Sequence, residues 1–110
     1  MSQVEQIRQR LLARRDELAG RANLIDADLR HERDPLSADF EEQATQRENE
    51  DVLRGIGLAA KAELQHVNRA LARLERGEYF DCETCGESIA AARLEALPET
   101  THCARCAAAI

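Results

Sequence analysis

Four cysteines carry the chemistry this sequence offers. They are Cys82-Glu-Thr-Cys85 and Cys103-Ala-Arg-Cys106, two Cys-x-x-Cys pairs separated by 17 residues and confined to the last 29 of 110. Each pair lets two thiolates converge on one ion from a tight turn, and two pairs complete the tetrahedron of a closed structural zinc site. The spacing predicts one structural Zn2+ held by Cys82, Cys85, Cys103 and Cys106. Gly86 follows the first pair, where such a turn needs a residue that tolerates positive φ. Two disulfides are the alternative, but they require an oxidising compartment, and no apolar run after Met1 has the character of a signal peptide. A redox dithiol would need only one pair. His102 stands beside Cys103 as a further candidate ligand, yet four thiolates already fill the site. A closed zinc has no free position to activate water. With no Gly-rich phosphate loop and with His31, His66 and His102 scattered, no catalytic constellation is visible, and a non-enzymatic role is expected.

The rest of the chain must position that site. Aromatic residues make up only 3% of it, tryptophan is absent, and alanine, leucine, arginine and glutamate dominate, the composition of long helices and coiled coils. No stretch has the apolar length needed to span a bilayer, so a soluble, cytoplasmic protein without membrane partners is expected. The net charge is −6, and its distribution is uneven. Residues 1–25 carry a net of +2, residues 26–51 set ten acids against three arginines for −7, residues 52–81 come to +1 and residues 82–110 to −2. That balance argues against sequence-specific DNA binding, which calls for a basic face.

Residues 3–32 contain no proline, and Val4, Ile7, Leu11, Leu18, Ala22, Ile25 and Leu29 recur at helical spacing, as in an amphipathic helix of coiled-coil type. Asp34-Pro35 breaks the pattern and offers an N-cap and first residue for a second helix, expected from about Pro35 to Arg76. Its seam is Leu53, Ile56, Ala60, Leu64, Val67, Leu71 and Leu74, and Gly77 is its stop signal. Gly55 and Gly57 fall inside it and weaken it, a tolerated soft spot or a hinge. Residues 41–51 have a poor, polar seam, as expected of frayed surface or of a partner-binding surface, with surface the better reading from composition alone. Two long helices joined by a short turn fold back as a hairpin. The expected fold is therefore mainly α. A long antiparallel helical hairpin (coiled coil) occupies residues 1–77, with its tip near 33–44, and a small C-terminal C4 zinc-finger module occupies 78–110. The apolar stripes are consumed within the hairpin, which favours a monomer.

The zinc segment runs Gly77-Glu-Tyr79-Phe-Asp-Cys82-Glu-Thr-Cys85-Gly86-Glu-Ser-Ile89, then Arg93-Leu94-Glu-Ala96-Leu-Pro98, then Cys103-Ala-Arg-Cys106. It closely resembles the DksA/TraR family of C4-type zinc-finger proteins, the DnaK-suppressor family. The likeness includes the aromatic before the first pair, Gly86, Ile89 and the Arg-Leu-x-Ala-x-Pro run. Upstream, Asp39-x-x-Glu42-x-Ala44 falls where the family carries an Asp-x-x-Asp-x-Ala motif at the tip of its coiled coil.

This resemblance implies a bacterial transcription regulator that binds RNA polymerase, inserts its hairpin into the secondary channel and acts there through its acidic tip, with Asp39, Glu42 and Ala44 as partner-binding residues. Some features depart from the family pattern. Glu42 replaces an aspartate, so its carboxylate reaches one methylene farther. Phe80 replaces a usual glycine. The chain is short at both ends compared with longer members. His66, Leu97 and Ala107 stand where such members bind the alarmone ppGpp with basic residues, so a weak or absent alarmone response is expected. Asp39 and Glu42 are also spaced like a helix capping box, which would make them structural if the helix begins at Asp39. Two other functions fit the residues: a zinc-ribbon adaptor that docks another protein through its hairpin, or a thiol sensor in which oxidation expels zinc.

Overall fold

The computed structural model describes residues 2–30 and 39–109. The expected turn at 33–38, with Asp34 and Pro35, lies outside the described residues. Two long helices, α1 (Gln3–Leu29) and α2 (Phe40–Glu75), are followed by two short ones, α3 (Ala91–Ala96) and α4 (Ala104–Ala109). The chain is mainly α: among the described residues the only extended pairing is an isolated antiparallel bridge between Asp81 and Ser88.

The helix ends are set by local chemistry. Ser2 caps α1, its Oγ accepting from the Glu5 amide at 3.1 Å, and Ser2-x-x-Glu5 has the spacing of a capping box, which the apolar periodicity does not reveal. The second helix does not run from Pro35. Asp39 is non-helical, and α2 begins at Phe40. The physical reason is that Asp39 Oδ1 accepts from the amides of Glu41 (2.9 Å) and Glu42 (3.2 Å), two first-turn donors with no partner inside the helix. At the other end Gly77 adopts φ +75°. The Gly77 amide donates to Leu74 O and the Glu78 amide to Arg73 O, the paired bonds by which a left-handed residue closes a helix.

The fold divides into two compact units. One joins residues 1–16 to residues 64–110, and the other comprises residues 17–63. In the first, Leu11, Val67, Ala70 and Leu74 are buried, and Arg8 Nε donates to Glu75 Oε1 at 2.9 Å. In the second, Leu18, Ala22, Ile25 and Ala60 are buried, and Lys61 pairs with Asp26 at 3.1 Å. Within each unit α1 therefore packs against α2. A buried leucine contributes about 1.5–3 kcal/mol, so these short stripes supply much of the stability.

The seam of α2 differs from expectation at one step. Ile56 is 45% exposed, while Gly57 is buried. Among the buried and half-buried positions, 43, 46, 50, 53, 57, 60, 64, 67, 71 and 74 form an unbroken alternation of threes and fours, with 63, 70 and 73 widening the stripe beside it. Gly57 holds its place in that series because a Cβ there would meet Ile25 Cγ2 at 3.0 Å. It is a point of close helix approach and not a soft spot. At Gly55 a Cβ would meet nothing within 4 Å.

Candidate functional site

The structure gathers all four cysteines. Their Sγ atoms lie within 4.8 Å of one another, and Cys85 Sγ is 3.8 Å from Cys103 Sγ. A tetrahedral zinc with bonds of about 2.3 Å sets its sulfurs about 3.8 Å apart, so the donor set fits one zinc in both chemistry and spacing. His102 is not part of the cluster; its Nδ1 lies 3.2 Å from Thr101 Oγ1.

Each pair is shaped by its own backbone. At the first, the Gly86 amide donates to Cys82 O at 3.0 Å with Gly86 at φ +76°, the left-handed step that glycine takes without a Cβ penalty. The flanks are pinned by Cys82 N to Glu87 O (2.7 Å) and Ile89 N to Phe80 O (2.8 Å). At the second, Cys103 precedes α4, whose Cys106 amide donates to Cys103 Sγ at 3.4 Å. The Glu83 amide donates to Thr101 O at 2.8 Å and ties the two halves together.

The thiols differ in acidity. Backbone amides of Cys85 and Cys103 pull Cys82 down to about 5, and the Cys106 amide lowers Cys103. Cys106 is pushed up to about 12, chiefly by its hydrogen bond with the Cys103 sulfur. Four crowded sulfurs cannot all ionise unaided, and a divalent cation supplies the missing compensation. Arg105 also faces the cluster; its guanidinium is held charged by the Cys85 sulfur.

The surrounding motif residues hold this geometry. Tyr79 is buried, meets Phe80 edge-on with ring centroids 5.1 Å apart, and donates its hydroxyl to Pro98 O at 2.9 Å. Arg93 on α3 donates from Nε to His102 O at 2.9 Å, steadying the approach to Cys103. From α2, Arg73 donates to Glu78 O at 2.9 Å and Asp81 O at 2.8 Å, and Arg69 pairs with Glu83. Sequence reasoning missed Arg69 and Arg73, which carry no local signal. The short helices α3 and α4 were also unexpected, although the alanine-rich run 104–109 has the propensity for one.

Of the expected tip residues, Asp39 and Glu42 meet at the start of α2 through the capping bonds, and Ala44 is exposed one turn on. Phe40, between the two acids, is 84% exposed. His66 is exposed on α2, Leu97 is exposed after α3, and Ala107 is half-buried on α4. None of the described helices is long and apolar enough to cross a membrane.

Comparison with known proteins extends these observations. The N-terminal domain model of DnaK suppressor protein-like proteins matches residues 7–74, and that of the prokaryotic dksA/traR C4-type zinc finger matches residues 72–110. The solved structure of transcription factor DksA2 from Pseudomonas aeruginosa superposes with a TM-score of 0.82 at 30% identity, covering 97% of this chain and 81% of that one. The solution structure of DnaK suppressor protein from Agrobacterium tumefaciens gives 0.67 at 36% identity, covering 100% and 96%. An uncharacterized protein from Aquifex aeolicus is 38% identical over 69 residues, 63% of this chain and 48% of that relative, so the match spans about half the relative's length.

Proposed function

This chain belongs to the DksA/TraR family of C4-type zinc-finger proteins, and from that premise we propose that it is a non-enzymatic, cytoplasmic regulator of bacterial RNA polymerase acting through the secondary channel. The observation that carries the reading is its likeness, over 97% of its length, to a transcription factor of the family. In this account residues 1–77 are the inserted hairpin, with its tip near 33–44, and residues 78–110 are the zinc-finger module. Cys82, Cys85, Cys103 and Cys106 bind the one structural zinc, which when bound supplies a rigid cross-link between the two turns. Asp39, Glu42 and Ala44 form the partner-contacting face, where negative charge is drawn to basic or metal-rich surroundings. The protein acts as a monomer and does not read DNA sequence. His66, Leu97 and Ala107 give ppGpp no cluster of cations, so the alarmone has little effect.

The test is competition binding to bacterial RNA polymerase by wild type, Asp39→Asn and a variant with its tip truncated. Asparagine retains a capping oxygen, so Asp39→Asn removes the charge while leaving the helix start intact. Binding of wild type with loss of transcriptional effect in Asp39→Asn supports the reading; no binding by wild type contradicts it. One observation favours a second reading: Asp39 Oδ1 is engaged by the amides of Glu41 and Glu42, as in an adaptor whose acids serve only the helix. That reading predicts another dominant partner in an unbiased pull-down.

A further inference from the structure

The backbone around Cys82 is held by α2. Cys82 is the one fully buried cysteine, at 3% exposure. The carbonyl before it, Asp81 O, accepts from Arg73 at 2.8 Å, while its own amide donates to Glu87 O at 2.7 Å. The Asp81–Cys82 peptide is therefore fixed at both ends. The following amide, Glu83 N, donates to Thr101 O, and the Glu83 carboxylate pairs with Arg69, one helical turn before Arg73.

Arg73 is 8% exposed, and burying a guanidinium is costly unless its donors are used; its two terminal nitrogens are engaged, while Nε is buried without a hydrogen-bond partner. One terminal nitrogen spans Glu78 O and Asp81 O, and the other lies 3.7 Å from Glu78 Oε2. Arginine's rigid planar fork suits this arrangement, whereas a lysine ammonium is a single point on a flexible stem. Arg73 O is also the acceptor for the Glu78 amide at the end of α2. One residue thus joins the helix end to the peptide that aims the Cys82 sulfur.

We infer that Arg73 is a positioning residue for the metal centre, with Arg69 as a weaker outer support through Glu83, so that zinc affinity depends on the last turns of α2. The inference rests on the four-cysteine ligand assignment above. Groups that orient metal ligands from outside typically change metal affinity by about 10- to 100-fold.

The experiment measures zinc affinity of the full chain by competition with a chromophoric chelator, with cobalt(II) absorption reporting the thiolate ligands. Arg73→Lys and Arg73→Gln lose about 10- to 100-fold in zinc affinity while the helical circular dichroism persists. Arg69→Ala loses only about threefold, because its ion pair is exposed. Val67→Ala, which trims the buried seam of the same helix, lowers the melting temperature but leaves zinc affinity within about threefold of wild type. Two results overturn the inference: Arg73→Lys binding zinc as wild type does, or Val67→Ala losing as much affinity as Arg73→Gln. A wild type without a four-thiolate cobalt spectrum overturns the ligand assignment and this inference together.

Discussion

In residues 64–110 the side chains of Tyr79, Arg73 and Arg93 each direct a donor onto a backbone carbonyl, so loop geometry is fixed by hydrogen bonds around the cysteine cluster. Residues 17–63 are built otherwise. Their seam depends on small residues at Ala22, Gly57 and Ala60, their side-chain ties include surface ion pairs such as Lys61 with Asp26, and they expose Leu24, Phe40, Val52 and Leu58. The first region spends its polar groups on holding one shape, and the second presents charge and apolar surface to its surroundings. The contrast teaches that the metal-binding residues and the partner-contacting residues proposed here are specified by different physics, and each can be altered without the other.

The largest effect expected is loss of the metal. Structural zinc contributes on the order of 10 kcal/mol in small domains, so chelation, or Cys82→Ser, unfolds residues 78–109 while most of the helical signal from residues 17–63 survives. Amide exchange read region by region checks this; uniform loss of protection would erase the distinction. Next is Tyr79. Tyr79→Ala is expected to cost about 3–5 kcal/mol, like other large aromatic truncations, and Tyr79→Phe about 1 kcal/mol for the bond to Pro98, both read by denaturant unfolding of the zinc-loaded protein. Burial raises the Tyr79 phenol above its ordinary 10. The folded state therefore keeps this proton longer than the unfolded state, and the stability it contributes, full below pH 10, is lost as pH rises through the folded value. Tyr79→Phe removes that part of the alkaline decline.

Smaller effects sharpen the other side of the comparison. Asp39→Ala should destabilise by about 1 kcal/mol through the lost cap, and Asp39→Asn by much less, as measured by thermal unfolding. The smallest contrast is between two glycines of α2. Gly55→Ala has open space and gains about 0.5–1 kcal/mol. Gly57→Ala does not gain, because its Cβ would press on Ile25 Cγ2 at 3.0 Å. A matched gain at both positions would show that the close approach at Gly57 carries no weight.

The metal centre was legible because its determinants are local: two cysteine pairs, Gly86 at positive φ and Gly77 at the helix stop all lie within a few residues of what they shape. The helices were legible from their period, but the register around Ile56 was not. A glycine has no side chain to mark it as a seam residue, and only the partner helix reveals why that position must be empty. The start of α2 was misplaced because Asp34-Pro35 and Asp39-x-x-Glu42 are both valid start signals, and the sequence does not rank them. Arg73 was invisible for a different reason. Its partners Glu78 and Asp81 lie beyond the helix end, and a buried arginine looks on paper like any surface arginine.

The account places action on transcription at the start of α2 and leaves the zinc unit as the scaffold. The most direct measurement is in vitro transcription by bacterial RNA polymerase with the double variant Asp39→Asn, Glu42→Gln, assayed alongside its zinc content. The account predicts one zinc per chain, retained binding to polymerase and loss of the regulatory effect. A double variant that regulates as well as wild type while carrying its zinc would contradict it.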